Sequence, residues 1–469
     1  MSIVRGLVAA ALLSSAAAQA QTAARPDQLA FREIYKELVE TNTTLSAGSC
    51  TLAAERMAAR LKAAGFPDKD LTLFAVPEHP KEGGLVAVLP GSDPKAKAVL
   101  LLAHIDVVEA KREDWTRDPF TLIEENGFFY ARGAADDKAM AAVWVDSLAR
   151  MKREGYRPKR PIKLALTCGE ETTDAFNGAE YLANQKRDLI DAEFALNEGG
   201  GGRLTPDGKP EFLSMQIGEK AAQNYTLKVT NPGGHSSRPV KPNAISQLAA
   251  ALGKVDALEF PVEFNPVTRE YFSRLSKTVG GERGAAMTAL LANPKDAAAN
   301  AIVSKDPTWH SMLRTTCVAT LLNGGHANNA LPQRATANVN CRIFPGTSVE
   351  TVRQALADAI GDPAVKVTMV PPVRPTPGSP PLTKAVMAPV DRLAAKMFPG
   401  VPVLPTMSTG ATDGIFLFAK GIPTYGVPGI LGEADGSGAH GLNEHIRVSS
   451  LYKGRDYLDA LVRAYADAR

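Results

Sequence analysis

His104 and Asp106 stand two apart at the end of the apolar run 98–103, Ala-Val-Leu-Leu-Leu-Ala. On an extended segment, residues two apart point the same way. Asp106 can then accept a hydrogen bond from one ring nitrogen of His104 and leave the other nitrogen for a metal ion. Taken alone, the triplet suits an ordinary hydrogen-bonded pair equally well. Four further groups widen its meaning: Asp136 and Asp137 in the small-residue turn 132–138, Glu170-Glu171 after the run 162–168, Glu198 after 192–197, and His440 in the glycine-rich stretch 438–444. Imidazoles and carboxylates suit zinc and related divalent ions, and no cysteine set with finger-like spacing competes for that role. A two-metal hydrolytic site needs one carboxylate shared between the ions and another held off them to take a proton from water. The double glutamate can divide such jobs, with Glu170 as base and Glu171 as ligand.

These side chains need rigid supports. The runs 98–103, 162–168 and 192–197 read as buried strands, each ending in a candidate ligand, and open α/β sheets bind ligands at the carboxyl ends of their strands. The alanine-rich stretch 139–151 reads as a helix, so Asp136 sits at a loop-to-helix junction. A helix N-cap by Asp136 or Asp137 is the alternative reading there.

In type and order the set resembles the M20 family of metallopeptidases, which includes glutamate carboxypeptidase, aminoacylase and the carnosinase-type dipeptidases. The likeness rests on His104-Ile105-Asp106, the segment 133–138, Gly169-Glu170-Glu171, Asn197-Glu198-Gly199 and Ala439-His440. It implies an α/β fold, a mixed-sheet zinc-peptidase catalytic domain with an inserted ferredoxin-like α+β lid domain. It also implies two Zn2+ ions per chain, with Co2+ or Mn2+ as substitutes. His104 and Glu198 would hold one ion, Glu171 and His440 the other, and Asp136 would bridge them. Asp106 would orient His104, and Glu170 would be the general base. Asn197 is a poor metal partner beside Glu198, and the context Ala439-His440-Gly441-Leu442-Asn443-Glu444 favours His440 over His445.

The chain has 469 residues, 45% of them hydrophobic and 22% charged, enough for two or three domains with a sizeable core. A net charge of +3, without a basic stripe, gives no footprint for nucleic acid. Residues 1–20 carry Arg5, an apolar run 7–18 and Ala18-Gln19-Ala20, the pattern of a cleaved signal peptide, so export to the periplasm or medium is expected. After cleavage no stretch is long enough for a membrane span. Cys168 lies in a predicted core strand and reads as a free buried thiol. Cys317 and Cys341 fall in two strand-like runs where a disulfide is possible, and Cys50 is left without an assignment.

The expected division is a catalytic part over 21–218, a lid over 219–374 and a second catalytic part over 375–469. Within the lid, strand-like runs at 224–230, 312–321, 335–343 and 365–370 alternate with helical ones at 243–255 and 349–360, the split β-α-β-β-α-β order. The segment 371–381 is proline-rich and reads as the return linker. A helical insert at about 260–306 exceeds a compact lid of this family; it would cap the active site or occupy the surface used for dimerisation. The resemblance gives the lid's His235 a hold on the scissile carbonyl, often across a dimer, and gives Asn329 and Arg342 a substrate carboxylate. A planar guanidinium fork suits such a carboxylate. The loop 408–413, with Gly410, would face the substrate.

The expected function is therefore that of an exported di-metal hydrolase. It would cleave amide bonds of small peptides or N-acyl amino acids bearing a free carboxylate, as a carboxypeptidase or N-acyl-amino-acid hydrolase. A dipeptidase or aminopeptidase of the same family is the alternative, and Glu198 in place of Asp favours the first. A non-catalytic binding protein that keeps the fold would have lost a ligand or the base, and none is lost. A homodimer is compatible with the sequence.

Overall fold

A computed structural model of the chain describes residues 25–172 and 176–468; the expected leader at 1–20 lies outside them. Nine strands form one mixed sheet. Its order is Leu71–Val76, His79–Leu89, Ile162–Thr167, Val99–His104, Phe194–Asn197, Thr424–Gly426, Pro210–Glu219 and Val403–Ser408, with Gly201–Leu204 paired off Pro210–Glu219. The four central strands run parallel. Val99–His104 is buried along its whole length, which is why its sequence is an unbroken apolar run. Val99, Leu101 and Ala103 join the large core, which includes residues of the helices Pro26–Val39, Cys50–Ala63, Lys138–Arg153 and Val448–Ala466. Leu100 and Leu102 join a second core with Leu182 and Leu417 from helices Gly178–Gln185 and Gly414–Ala419.

Register then sets where the chemistry falls. His104 pairs with Thr167, and Asn197 pairs with Gly426, so the carboxyl ends of the parallel strands finish side by side. Helix Lys138–Arg153 is buried almost all round, and its Trp144 indole donates to the Leu102 carbonyl at 3.1 Å. An alanine-rich helix allows that close approach, and the bond satisfies the one polar atom of a large buried side chain.

The expectation of a free thiol at Cys168 is corrected: a disulfide joins it to Cys50. Cys168 follows the strand Ile162–Thr167, and Cys50 opens a helix of the same core, a contact between distant segments that periodicity does not show. Cys317 and Cys341 also form a disulfide, facing each other in register on neighbouring strands.

The smaller sheet runs Thr316–Gly324, Arg334–Ile343, Ala221–Thr230 and Lys366–Met369, all antiparallel. With helices Ala244–Asp256 and Val349–Ile360 it has the split β-α-β-β-α-β order. Alternation along Ala221–Thr230 buries Tyr225, Leu227 and Val229 in a core with Leu248, Val255, Leu356 and Ile360. Asn224, Asn340 and Arg342 take the alternate positions, half-buried, with Asn224 opposite Asn340 and Ala222 opposite Arg342.

The insert forms four helices, Pro266–Val279, Gly281–Ala292, Ala297–Val303 and Pro307–Met312. Val267, Phe272, Met287, Leu290 and Val303 bury in the large core, not in that of the smaller sheet. Arg274 donates to the carbonyl of Val403 at 2.8 Å, so the insert covers the edge strand of the nine-stranded sheet. An uncovered edge offers unpaired backbone groups to other chains.

Candidate active site

The strand ends, two loops and a glycine-rich segment bring the expected ligands together. His104 Nε2 lies 3.1 Å from Asp136 Oδ1 and 3.9 Å from Glu198 Oε1. On the other side, His440 Nε2 lies 2.8 Å from Glu171 Oε2 and 3.4 Å from Asp136 Oδ2. Asp136 thus touches both histidines, one with each oxygen, as a bridging carboxylate must. Ligand atoms of His104, Asp136 and Glu171 lie within 4.8 Å of one another, and so do those of His104, Glu170 and Glu198.

Asp106 has two tasks. Its carboxylate lies 3.5 Å from His104 Nδ1, while its backbone carbonyl is nearer that nitrogen at 3.1 Å. The same carboxylate accepts the backbone N–H groups of Glu171 at 3.0 Å and Glu170 at 3.4 Å. It therefore couples the histidine to the double-glutamate turn. The alternative reading, a side-chain N-cap, is not what the turn shows: helix Lys138–Arg153 has Asp137 at its N-cap position with no side-chain cap bond. Neither carboxylate of that turn is spent on capping the helix.

So many acids in one buried place disfavour charge. Burial pushes Glu170 up to about 9 and Glu171 up to about 7, with repulsion among the neighbouring carboxylates adding to it. Burial likewise raises Glu198 well above the usual carboxylate range. Asp136 goes the other way: burial opposes its charge, but hydrogen bonds from His104 and His440 hold it low. A carboxylate cluster of this kind lacks positive charge, and divalent cations are the ordinary remedy. The donor set fits them, since imidazole and carboxylate suit zinc-like ions.

Sequence reading did not find the part that joins the two ligand loops. Glu444 is 1% exposed. One oxygen accepts from Arg132 Nη1 at 2.8 Å and Gly133 N at 2.9 Å; the other accepts from Ala135 N at 2.8 Å and Asp136 N at 3.0 Å. Arg132 Nη2 reaches across to the Gly441 carbonyl at 2.7 Å. The loop that carries Asp136 is thereby tied to the loop that carries His440, which is held at a positive φ of 59°. Only the acid's place beside His440 hinted at this. Lys138 was missed as well: fully buried, it donates to the Thr41 carbonyl at 2.8 Å, and burial lowers it to about 7. Asp413, which accepts from Asn177 at 2.7 Å and Thr167 at 3.1 Å, is a third buried support.

A cleft of about 360 Å3 opens onto this cluster; Glu170, Glu171, His440, Arg342, Asn340 and Asn224 are among the residues that line it. The polar face of the smaller sheet thus closes over the candidate ligands. His235 and Asn329 do not line this cleft. They sit on the exposed ribbon formed by Gly234–His235 and Ala330–Leu331, where Ser236 N donates to the Asn329 carbonyl at 2.9 Å. Gly410 is also off its wall, although Ala411, Thr412 and Asp413 of the same loop are on it. None of the four insert helices reaches it.

A strand-end cluster of histidines and acids beneath such a cleft defines a metal-dependent hydrolase. The chain belongs to peptidase family M20/M25/M40, whose profile matches residues 100–464. It is 28% identical over 437 residues to the human N-fatty-acyl-amino acid synthase/hydrolase PM20D1, covering 91% of this chain and 86% of that protein. It is 29% identical over 395 residues to a probable carboxypeptidase S-like 2 of Dictyostelium discoideum, covering 80% and 72%. The fold matches the crystal structure of an M20 family metallo-carboxypeptidase, Sso-CP2, from Sulfolobus solfataricus. The TM-score is 0.69 at 20% identity, over 93% of this chain and 99% of that one. The protein is an M20 hydrolase of the carboxypeptidase or acyl-amino-acid hydrolase type.

Proposed function

We propose that the enzyme hydrolyses the amide bond of small substrates that carry a free carboxylate, N-acyl amino acids or short peptides. The observation that carries this is Arg342. It lines the same cleft as Glu170, Glu171 and His440, and among the described residues no carboxylate forms an ion pair with it. An arginine left open in a cleft is a receptor for a planar carboxylate. His104 and Glu198 would hold one zinc ion, Glu171 and His440 a second, with Asp136 between them. Bound there, such ions lower the pKa of water toward neutral and polarise a carbonyl. Glu170 takes the proton from the attacking water and passes it to the leaving nitrogen, while Asp106 keeps His104 aligned. Arg342→Met should lower kcat/KM for an N-acyl amino acid by about 100-fold, the loss of a charged hydrogen-bonded contact. Against the carboxamide of the same substrate, wild type and variant should be equally slow. Equal loss on both substrates would show that Arg342 supports the cleft and does not read the carboxylate.

His235 and Asn329 belong to a second part of the reading. Neither lines the cleft of its own chain, and the neighbouring edge strand Thr316–Gly324 exposes Val318, Leu321 and Leu322 by 60–70%. Such an edge accepts another chain. A homodimer, with the ribbon of one copy reaching the cleft of the other, would place His235 on the scissile carbonyl and Asn329 beside the carboxylate. Gly410, one residue before the cleft wall, would shape its rim. If so, His235→Ala and Glu170→Gln subunits, each inactive alone, regain about a quarter of wild-type activity when refolded together, the statistical share for a twofold assembly. No regain in a mixture shown to be dimeric would confine His235 to its own chain.

The signal pattern at 1–20 and the pairing of all four cysteines support export to an oxidising compartment. No described helix is long and apolar enough to cross a membrane.

A further inference from the structure

The segment 41–50 carries no candidate ligand and lines no part of the cleft, yet it touches three loops that build the site. Lys138, two residues after Asp136, donates to the Thr41 carbonyl at 2.8 Å. Val107, which follows Asp106, donates its backbone N–H to the Thr43 carbonyl at 3.4 Å. Cys50 is bonded to Cys168, two residues before Glu170. The segment is itself well fixed. Thr41, Thr43 and Thr44 are buried, and Ser49 N donates to the Asn42 carbonyl at 2.9 Å. Ser49 also caps helix Cys50–Ala63, whose Ala54, Met57 and Leu61 lie in the large core.

The third tie differs from the other two. It is covalent, and it stands beside open space. A cavity of about 180 Å3 is lined by Thr43, Cys50, Asp106, Cys168 and Gly169 among others. Packing therefore does not fill this side of the double-glutamate turn, and the dispersion contacts that fix a chain in a dense interior are missing there. The rest of the turn is held by hydrogen bonds. Gly178 N donates to the Cys168 carbonyl at 2.7 Å, and Asn177 Nδ2 to the Gly169 carbonyl at 3.1 Å. Gly169 then swings the chain round with a φ of +96°, and Asp106 receives the N–H groups of Glu170 and Glu171. Hydrogen bonds beside a void let such a turn drift, whereas a covalent bond from a packed helix does not.

We propose that the Cys50–Cys168 disulfide is a positioning bond for the reaction, holding the double-glutamate turn in place with the segment 41–50 as its brace. The assignment rests on the roles given above to Glu170 and Glu171. A base misplaced by about 1 Å loses on the order of 100-fold in rate. A partner that orients a metal ligand is worth roughly 10- to 100-fold in affinity or rate. A disulfide that only stabilises the fold acts largely through the unfolded chain and shows in the melting temperature alone. The two roles are therefore separable. Cys317–Cys341 supplies the comparison, since it joins neighbouring strands of the smaller sheet and neither cysteine lines the cleft.

The test pairs kinetics on N-acetyl-L-phenylalanine with calorimetric titration of the metal-stripped protein by Co2+. Cys50→Ala/Cys168→Ala should lower kcat by about tenfold or more at saturating Zn2+, with KM essentially unchanged. One of two Co2+ equivalents should bind roughly tenfold more weakly, because Glu171 belongs to the turn, while the other keeps its affinity. Cys317→Ala/Cys341→Ala should lower the melting temperature and leave kcat and both affinities at the wild-type values. Cys50→Ala/Cys168→Val, which refills some of the lost volume, replaces the first variant if circular dichroism shows that one unfolded. A folded variant with wild-type kcat and wild-type cobalt affinities overturns the proposal and leaves the bond a stabiliser of the fold. An equal loss of kcat in the Cys317→Ala/Cys341→Ala protein overturns it as well. A wild type that does not cleave this substrate overturns the substrate reading alone, and the cobalt titration, which needs no substrate, still decides on the tether.

Discussion

Glu170→Gln should lower kcat by about 100- to 10,000-fold, the range attributed to a general base, while the purified protein keeps its bound metal. Glu170 lies at the carboxyl end of a central strand, faces the cleft and is held by its backbone N–H on Asp106. Its oxygen also lies within 4.8 Å of ligand atoms of His104 and Glu198, so a ligand role must be told apart from a base role. Glutamine keeps the size and one oxygen but removes the proton acceptor. Metal analysis and steady-state kinetics on one preparation separate the two roles. Loss of metal together with rate would make Glu170 a ligand, and retained turnover would remove it from the chemistry. Since burial raises Glu170 to about 9 without cations, bound cations must draw it down for it to act as a base near neutrality. Activity should accordingly fall as the medium is made acid and the base takes up its proton.

Exhaustive chelation should abolish activity and lower the melting temperature, and Zn2+ or Co2+ should restore both. Glu170, Glu171 and Glu198 are each pushed toward their neutral forms by burial, and two of them flank His104 or His440 at 2.8–3.9 Å. Ions that bind only this folded cluster stabilise it by mass action, about 2.7 kcal/mol per site at a hundredfold excess over Kd. Calorimetry of the stripped and reloaded protein reads this without any substrate. A melting temperature indifferent to chelation, in protein shown to be metal-free, would remove the ions from the site. Two equivalents of Co2+ per chain are expected on reloading; one equivalent would leave Asp136 without a bridging role.

Much of the site was legible because each of its strands is short, apolar and ends in chemistry. A parallel strand covered on both faces is mostly apolar, so a cluster of polar residues just past its carboxyl end marks the binding crevice. His104 is the last residue of its strand, Glu198 directly follows another, and Glu170-Glu171 lie three and four residues beyond a third. The helices on the smaller sheet were also legible as local runs at 243–255 and 349–360, and the structure adds that Asn243 and Ser348 cap them with their side chains. What failed was long-range. Cys168 bonds to Cys50, 118 residues away, and local apolarity carries no trace of the partner. The insert helices were legible as helices, but their choice of the large core over the smaller one depends on which surfaces meet.

Residue type and order alone thus pointed to the candidate donor set, to the strand ends that bear it and to the split order of the smaller sheet. These are local properties, written in periodicity, caps and the chemistry of single side chains. Only the tertiary structure decided which loop Glu444 clamps, and that His235 and Asn329 stand clear of their own cleft while Arg342 lines it. Such facts depend on how segments hundreds of residues apart pack, and packing is set by the shapes of whole surfaces that no local stretch of sequence contains.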